Sequence, residues 1–222
     1  MNRFIEDLIV YWPEMLVGLG NTLLLAGIIS VTGFLGGIAV FYLTTGSHRI
    51  LRAVTERYIS FFIGTPLLVH LFLIYYGLPE LSIRLSPLTV AVIGFTLNVS
   101  AYNARYLMTA FNGLDRTEIE AARAAGFTPA EAFRLIVLPQ SLRLSIPSLT
   151  NQVIQNLKDT SVAFLIQYKD FFAQIQEVAS TNFEFFRAYA TAGMIYLAFV
   201  WVIVMLARQL EKRSALPGFQ SA

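Results

Sequence analysis

Charge vanishes from this chain for long stretches and returns in short bursts, and that alternation predicts its helices. No Asp, Glu, Lys or Arg occurs between Met15 and His48. A helix needs about 20 apolar residues to cross a hydrocarbon core, so this run holds one long span with slack at its ends; two spans would be too short. Within it, Gly33, Gly36 and Gly37 offer a face for close helix contact. Arg49, Arg52 and Arg57 follow, and the uncharged run Tyr58–Pro79 reads as a second span. After a short loop, Glu80–Ser86, a third span covers about Pro87–Phe111 and contains Arg105. A fourth runs from Ile146 to Gln167 with Lys158 and Asp159 inside it, and a fifth from Ala188 to Ala207. Residues 168–187 read as an amphipathic connection. The expected fold is therefore an all-α integral membrane protein with five transmembrane helices.

The one long polar stretch, residues 112–143, reads as two short helices with their stops written in. Thr117 and Glu120 have capping-box spacing, and Gly126 is placed for the left-handed turn that ends the first helix. Thr128 and Glu131 repeat the box, with Pro129 at the first helical position, where its missing N–H costs nothing. Pro139 is expected to stop the second helix. Ala121, Ala122, Ala124 and Ala125 leave the first helix thin, so another surface could approach it closely. By spacing alone, this hairpin could equally be a plain connection between spans.

Composition agrees with the membrane reading. Of 222 residues, 56% are hydrophobic and 14% charged, against about 25% charge in an ordinary soluble domain. The absence of cysteine excludes disulfides and thiolate metal sites. His48 and His70 are too few for a histidine cluster, so no metal site and no cofactor is expected in this chain. No G-x-x-x-x-G-K-[ST] loop occurs, so the chain lacks the usual means of binding ATP. Near the start, Glu6, Asp7 and Glu14 against Arg3 argue against a cleavable signal, and Phe4, Leu8, Tyr11 and Trp12 suit an interface. Five spans put Arg3, Arg84, Lys169 and Arg187 on one side and ten Arg and Lys residues on the other. The second side is therefore read as cytoplasmic. The expected organisation is an extracytoplasmic or interfacial segment over 1–14, a transmembrane unit over 15–209, and a cytoplasmic tail over 210–222.

Polar residues at membrane depth are the candidate chemistry, because they normally face a cavity or a partner. On the third span, Asn98, Tyr102, Arg105 and Thr109 step by four, three and four and share a face. On the fourth, Asn151, Gln155 and Lys158 form one stripe, and Gln152, Asn156 and Asp159 the next. These stripes suit a lined solute path, and they also suit interhelical hydrogen bonding. Gly64 and Pro66 would kink the second span around Thr65. His70 reads as a hydrogen-bonded packing residue. Arg105 could grip a carboxylate, or could pair with Asp159 or an acid of another subunit.

Several of these stretches carry a resemblance. Glu120-Ala121-Ala122, three residues, Gly126, nine residues, then Ile136-Val137-Leu138-Pro139 resembles the EAA loop of type I ATP-binding-cassette importer permeases. Gly18-Leu19-Gly20-Asn21-Thr22-Leu23, Phe61-Phe62-Ile63-Gly64-Thr65-Pro66-Leu67-Leu68-Val69 and Leu157-Lys158-Asp159-Thr160-Ser161 resemble the polar amino-acid branch. Ile63 stands where that branch commonly has Arg. Ala101-Tyr102-Asn103-Ala104-Arg105 resembles its A-Y-x-A-E, with Arg105 in place of the acid. The likeness covers about Gly18 to Arg213.

The resemblance implies a subunit of a bacterial cytoplasmic (inner) membrane importer for polar amino acids or related compounds. Its N-terminus would be extracytoplasmic. It would pair with a second permease subunit, the same or homologous, and would meet membrane lipid but no nucleic acid. An ATPase dimer carrying ATP and Mg would bind below, and an extracytoplasmic solute-binding protein would deliver ligand above. Such a subunit is not an enzyme. Coupling would fall to Glu120, Ala121, Ala122, Gly126 and Pro139. The path would fall to Thr65, Asn98, Tyr102, Arg105, Gln155, Lys158 and Asp159. The rival readings are an ion-gradient-driven secondary transporter, coupled through Lys158 and Asp159, and a purely structural membrane subunit.

Overall fold

A computed structural model describes residues 3–214, which form helices and the short links between them. After α1 (Arg3–Val10), α2 runs unbroken from Trp12 to Thr45. At 1.5 Å per residue that is about 50 Å of helix, one crossing with slack, as expected. α3 (Arg49–Gly64) begins well before the expected start at Tyr58. Its charged first turns are helical because Arg52 pairs with Glu56 at 3.0 Å and Thr55 accepts a 2.9 Å hydrogen bond from Thr44 of α2. The second span is not one kinked helix. α4 (Leu67–Phe72), extended by single turns to Leu81, leaves α3 at 103°. Pro66 forces the residue before it out of helical geometry, and Thr65 is accordingly extended, at φ −115° and ψ 137°.

α5 (Pro87–Asn112) starts at Ser86, whose side chain accepts from Thr89 N, and is a helix over the residues of the expected third span. The hairpin helices are α6 (Arg116–Ala124) and α7 (Pro129–Ala132). α8 (Leu138–Asp159) continues as a tighter helix to Ile166, and Gln167 at φ 63° reverses the chain. α9 (Phe171–Asn182) and α10 (Phe185–Ser214) complete the chain. Of the expected cytoplasmic tail, 215–222 lies outside the described residues. Among the described residues, α2 and α10 are each long and apolar enough to cross a membrane, and the bent α3–α4 pair supplies a third crossing if counted as one.

The closest helix contact joins α2 to α5. A methyl group on Gly33 would lie 2.4 Å from Val99 Cγ1, and one on Gly37 would lie 2.5 Å from Asn103 Cβ. The missing side chains let the two backbones approach, as small residues do between membrane helices. Hydroxyl groups then bond across the seam: Thr32 to Thr96 at 2.6 Å, and Tyr58 of α3 to the Leu97 carbonyl at 2.6 Å.

α9 lies in the expected amphipathic connection, and its apolar face is core. Phe171, Ile175, Val178 and Ala179 are buried against Met15 of α2 and Ala188 and Ala192 of α10. Asp170 caps α9, accepting from Ala173 N at 2.9 Å, and is itself fully buried. Its other carboxylate oxygen has no hydrogen-bond partner among the described residues. Burial pushes this carboxyl up to about 7. His70 departs from expectation in another way. The turn at Pro66 wedges it against Phe61 and Phe62, with ring centroids 5.3 and 4.7 Å away. Its nitrogens are buried without hydrogen bonds among the described residues.

Two outcomes follow. Gly37→Ala forces α2 from α5 and should lower the thermal midpoint of the detergent-solubilised protein, overpacking typically costing about 1–3 kcal/mol. Gly27→Ala, where the added methyl meets nothing within 4 Å, should not lower it. For Asp170, the folded carboxyl binds its proton more tightly than the unfolded one. Its contribution to stability is thus complete below about pH 4 and is lost as pH rises through about 7. Asp170→Asn should flatten the pH dependence of the midpoint across that window; an unchanged slope would refute the assignment.

Candidate functional site: a membrane cavity and a capped hairpin

A cavity of about 580 Å³ opens between the α3–α4 break, α5 and α8. That is the size of a small-molecule site. The break contributes Ile63 to Leu67, α5 contributes Asn98, Tyr102 and Tyr106, and α8 contributes Asn151, Gln152, Gln155 and Asp159. The non-helical backbone at Thr65 and Pro66 therefore borders a polar space, where such breaks are tolerated. Asn98 spends an N–H on the Phe62 carbonyl at 3.0 Å. Gln155 donates to Asp159 Oδ1 at 2.6 Å, and Tyr106 donates to Gln152 Oε1 at 3.3 Å. Each of these groups turns a donor towards the protein and keeps acceptor capacity for the cavity. Among the described residues, Asp159 is the only Asp, Glu, Lys or Arg in the lining.

Thr65, Asn98, Tyr102, Gln155 and Asp159 are thus brought together as the sequence suggested, while Arg105 and Lys158 do not line the cavity. Both are exposed, and among the described residues Arg105 forms no ion pair with Asp159. Helical geometry gives the same reason for both. Position i+7 falls about 20° behind i, whereas i+8 falls about 80° ahead. From Asn98 and from Asn151 the cavity lies on the leading side, so Tyr106 and Asp159 replace Arg105 and Lys158 on the lining stripe. Tyr106 was missed; Gln152, on the same leading side of α8, was the available signal.

The hairpin is capped, though not as first expected. The N-cap of α6 is Asp115, accepting from Thr117 N at 2.9 Å, so Thr117 and Glu120 do not form a box. A carboxylate two residues upstream takes the free N–H, and the hydrogen bonds from Thr117 hold Asp115 below the usual carboxylate range. At the other end, Gly126 adopts φ +85°. Gly126 N bonds the Arg123 carbonyl and Phe127 N bonds the Ala122 carbonyl, the paired pattern of a left-handed helix stop. The second box forms fully between Thr128 and Glu131.

Pro139 does not end the second helix. A widened turn over Phe133–Val137, in which Leu138 N bonds the Phe133 carbonyl, precedes it, and α8 continues beyond. The wider turn absorbs the donor that proline lacks. The second arm of the hairpin is therefore continuous with the helix that lines the cavity. Glu120 and Ala121 are exposed, whereas Ala122 is buried.

A polar cavity at a helix break inside an apolar bundle, tied by one continuous helix to an exposed hairpin, defines a membrane-transport protein. A family model described as "Binding-protein-dependent transport system inner membrane component" matches residues 33–215, and the chain belongs to that family. "Probable amino-acid ABC transporter permease protein PatM" of Vibrio harveyi is 39% identical over 209 residues, covering 90% of this chain and 89% of the relative. "Histidine/lysine/arginine/ornithine transport system permease protein HisM" of Escherichia coli K12 is 32% identical over 234 residues, covering 94% and 95%. Among solved structures, a chain of "Crystal structure of an amino acid ABC transporter with histidines" aligns with a TM-score of 0.86 and 30% identity, over 96% of this chain and 99% of that one. A chain of the MetNI methionine ABC transporter has the same fold at a TM-score of 0.78 and 18% identity. These relatives lend no support to an ion-gradient-driven carrier.

Asp115→Ala should speed amide hydrogen exchange at the start of α6, whereas Thr117→Ala should leave that end protected. Equal effects of the two substitutions would restore Thr117 as the cap.

Proposed function

We propose that this chain is the membrane-spanning subunit of an ATP-driven importer for amino acids or related compounds, recognised in the cavity chiefly through an ammonium group. The observation that carries this reading is the cavity's polarity. Among the described residues its single carboxylate is Asp159, and Asn98, Gln155 and Tyr106 each spend a donor on the protein. Tyr102 and Tyr106 add ring faces, which attract cations. The Thr65 hydroxyl and the Asn151 amide are neutral groups available to the carboxylate end of an amino acid. A carboxylate grip by Arg105 fits less well, because Arg105 is outside the lining. The names of the relatives support the amino-acid class.

Membership of the family supports the following reading of the rest of the assembly. A second permease subunit, the same or homologous, covers the exposed cations Arg105 and Lys158, since a charge left in mid-bilayer costs about 2.5–3.5 kcal/mol or more. An ATPase dimer binding ATP and Mg grips the exposed hairpin face at Glu120 and Ala121. Ala122 packs beneath that face, and Gly126 sets its exit. Pro139, at the head of α8, lies on the helix that carries hairpin motion to Asn151, Gln155 and Asp159. A solute-binding protein delivers ligand from outside. We read five crossings in the unit 15–209, with the bent α3–α4 pair as the second. The surplus of Arg and Lys favours a cytoplasmic hairpin and C-terminus in the bacterial inner membrane, with segment 1–14 outside.

The test is ligand binding by the purified permease–ATPase complex, without the solute-binding protein. L-arginine, L-glutamine and L-glutamate serve as cationic, neutral and anionic probes. Asp159→Asn should weaken binding of the tightest probe about tenfold or more, the worth of a hydrogen bond to a charged group, while the complex still assembles. An unchanged Kd, or a wild-type preference for L-glutamate, would overturn the reading.

A further inference from the structure

We infer that Asn156, which does not line the main cavity, is a positioning residue that fixes the Tyr106 hydroxyl as a hydrogen-bond acceptor towards the ligand. This rests on the reading of the cavity as an ammonium site. A chain of hydrogen bonds runs from α5 through α8 to α2. Asn156 Nδ2 donates to Ser30 Oγ of α2 at 3.0 Å. Gln152 Nε2 donates to Asn156 Oδ1 at 2.8 Å. The Tyr106 hydroxyl donates to Gln152 Oε1 at 3.3 Å. Gln152 and Asn156 sit one turn apart on α8, and both are buried.

A primary amide donates at one end and accepts at the other, so a chain of amides has a direction. Turning Gln152 alone would set carbonyl against carbonyl at Asn156, leaving that buried contact unpaired, and would make the Tyr106 hydroxyl the acceptor with its proton free to turn to the cavity. Both amides must turn together or not at all. The far end decides which. Ser30, Asn103, Gln152 and Asn156 line a second, small cavity of about 240 Å³ on the other side of α8. Asn103 Oδ1 is buried there without a hydrogen-bond partner among the described residues. The Asn156 amide donates to Ser30 Oγ and accepts from Gln152 Nε2. The observed direction therefore sends N–H towards Ser30 and C=O towards Gln152.

The consequence reaches the main cavity. Gln152 must offer its carbonyl to Tyr106, so the tyrosine's proton is turned inward to the protein. Its oxygen lone pairs remain for the ligand, matching the free oxygen of Asp159. Tyr106 is itself steadied by Ser145, which bonds its backbone carbonyl at 3.2 Å. Without the acceptor at position 156, Gln152 is free to rotate, and Tyr106 can point its proton at an ammonium it should accept from.

The experiment measures Kd by equilibrium dialysis on the permease–ATPase complex, using whichever of L-arginine and L-glutamine binds wild type more tightly. Asn156→Leu should weaken binding about fivefold, the worth of one neutral hydrogen bond. Asn156→Asp keeps the acceptor that Gln152 needs and should stay within about twofold of wild type. Tyr106→Phe should weaken binding, and adding Asn156→Leu to it should change nothing more. If Asn156→Leu does not assemble, Asn156→Ala takes its place in the same comparison. An equal loss in the Tyr106→Phe background would make the effect one of packing and overturn the inference. So would an unchanged Kd in Asn156→Leu when Tyr106→Phe is weakened. If Tyr106→Phe and Asp159→Asn both leave Kd unchanged, the ammonium site itself fails and the inference falls with it.

Discussion

Everything in this subunit depends on how closely α2 and α5 can approach. In lipid there is no hydrophobic drive to press helices together, and packing contacts and hydrogen bonds must do it. Gly33 and Gly37 remove the side chains that would hold α5 away, and Val99 and Asn103 fill the space. The Thr32–Thr96 bond and the Tyr58 contacts then fix the rotation of α5. With Val99 and Asn103 turned to α2, the neighbouring stripe of Asn98, Tyr102 and Tyr106 is left for the cavity. One steric fact thus decides both the core and the site.

The second constraint is that no backbone polar group can be left bare in hydrocarbon. The α3–α4 break meets it by bordering the polar cavity, so the same Gly64–Pro66 segment that interrupts a helix also builds a wall. Pro139 meets it differently, behind a widened turn that keeps the helix running. The outcomes are opposite because the settings are. Thr65 has water-accessible space beside it, whereas the turn before Pro139 packs Phe133 against Phe41 and Tyr42. The break at Thr65 forms part of the cavity wall, and continuity at Pro139 joins the hairpin to the helix that lines the cavity.

Polar groups inside the bundle divide by direction. Gln152, Gln155 and Asp159 line the cavity, and Gln152 also bonds through Asn156 to Ser30 of α2. Cavity lining and interhelical hydrogen bonding are therefore not exclusive: one helix does both, and Gln152 takes part in each. Near the far end of α8, Asp170 anchors α9 beneath α2, where Phe171 N bonds Thr22 and Asn21 bonds the Lys169 carbonyl. This makes the apolar face of the amphipathic connection part of the core.

The sequence alone determined the helical class, the long first span, the Gly126 stop, the Thr128–Glu131 box and most of the cavity wall. These follow from local rules: charge-free length, φ of a residue lacking Cβ, and side chains within one turn of each other. It could not decide between Arg105 and Tyr106, or between Lys158 and Asp159, because i+7 and i+8 flank the same axis and only the neighbouring helices select the side. Nor could it decide that Pro66 breaks its helix by 103° while Pro139 does not, since a missing N–H says only that a bond is lost. Where that loss is absorbed, in a cavity or in a widened turn, is set by what packs alongside, and only the tertiary structure contains that information.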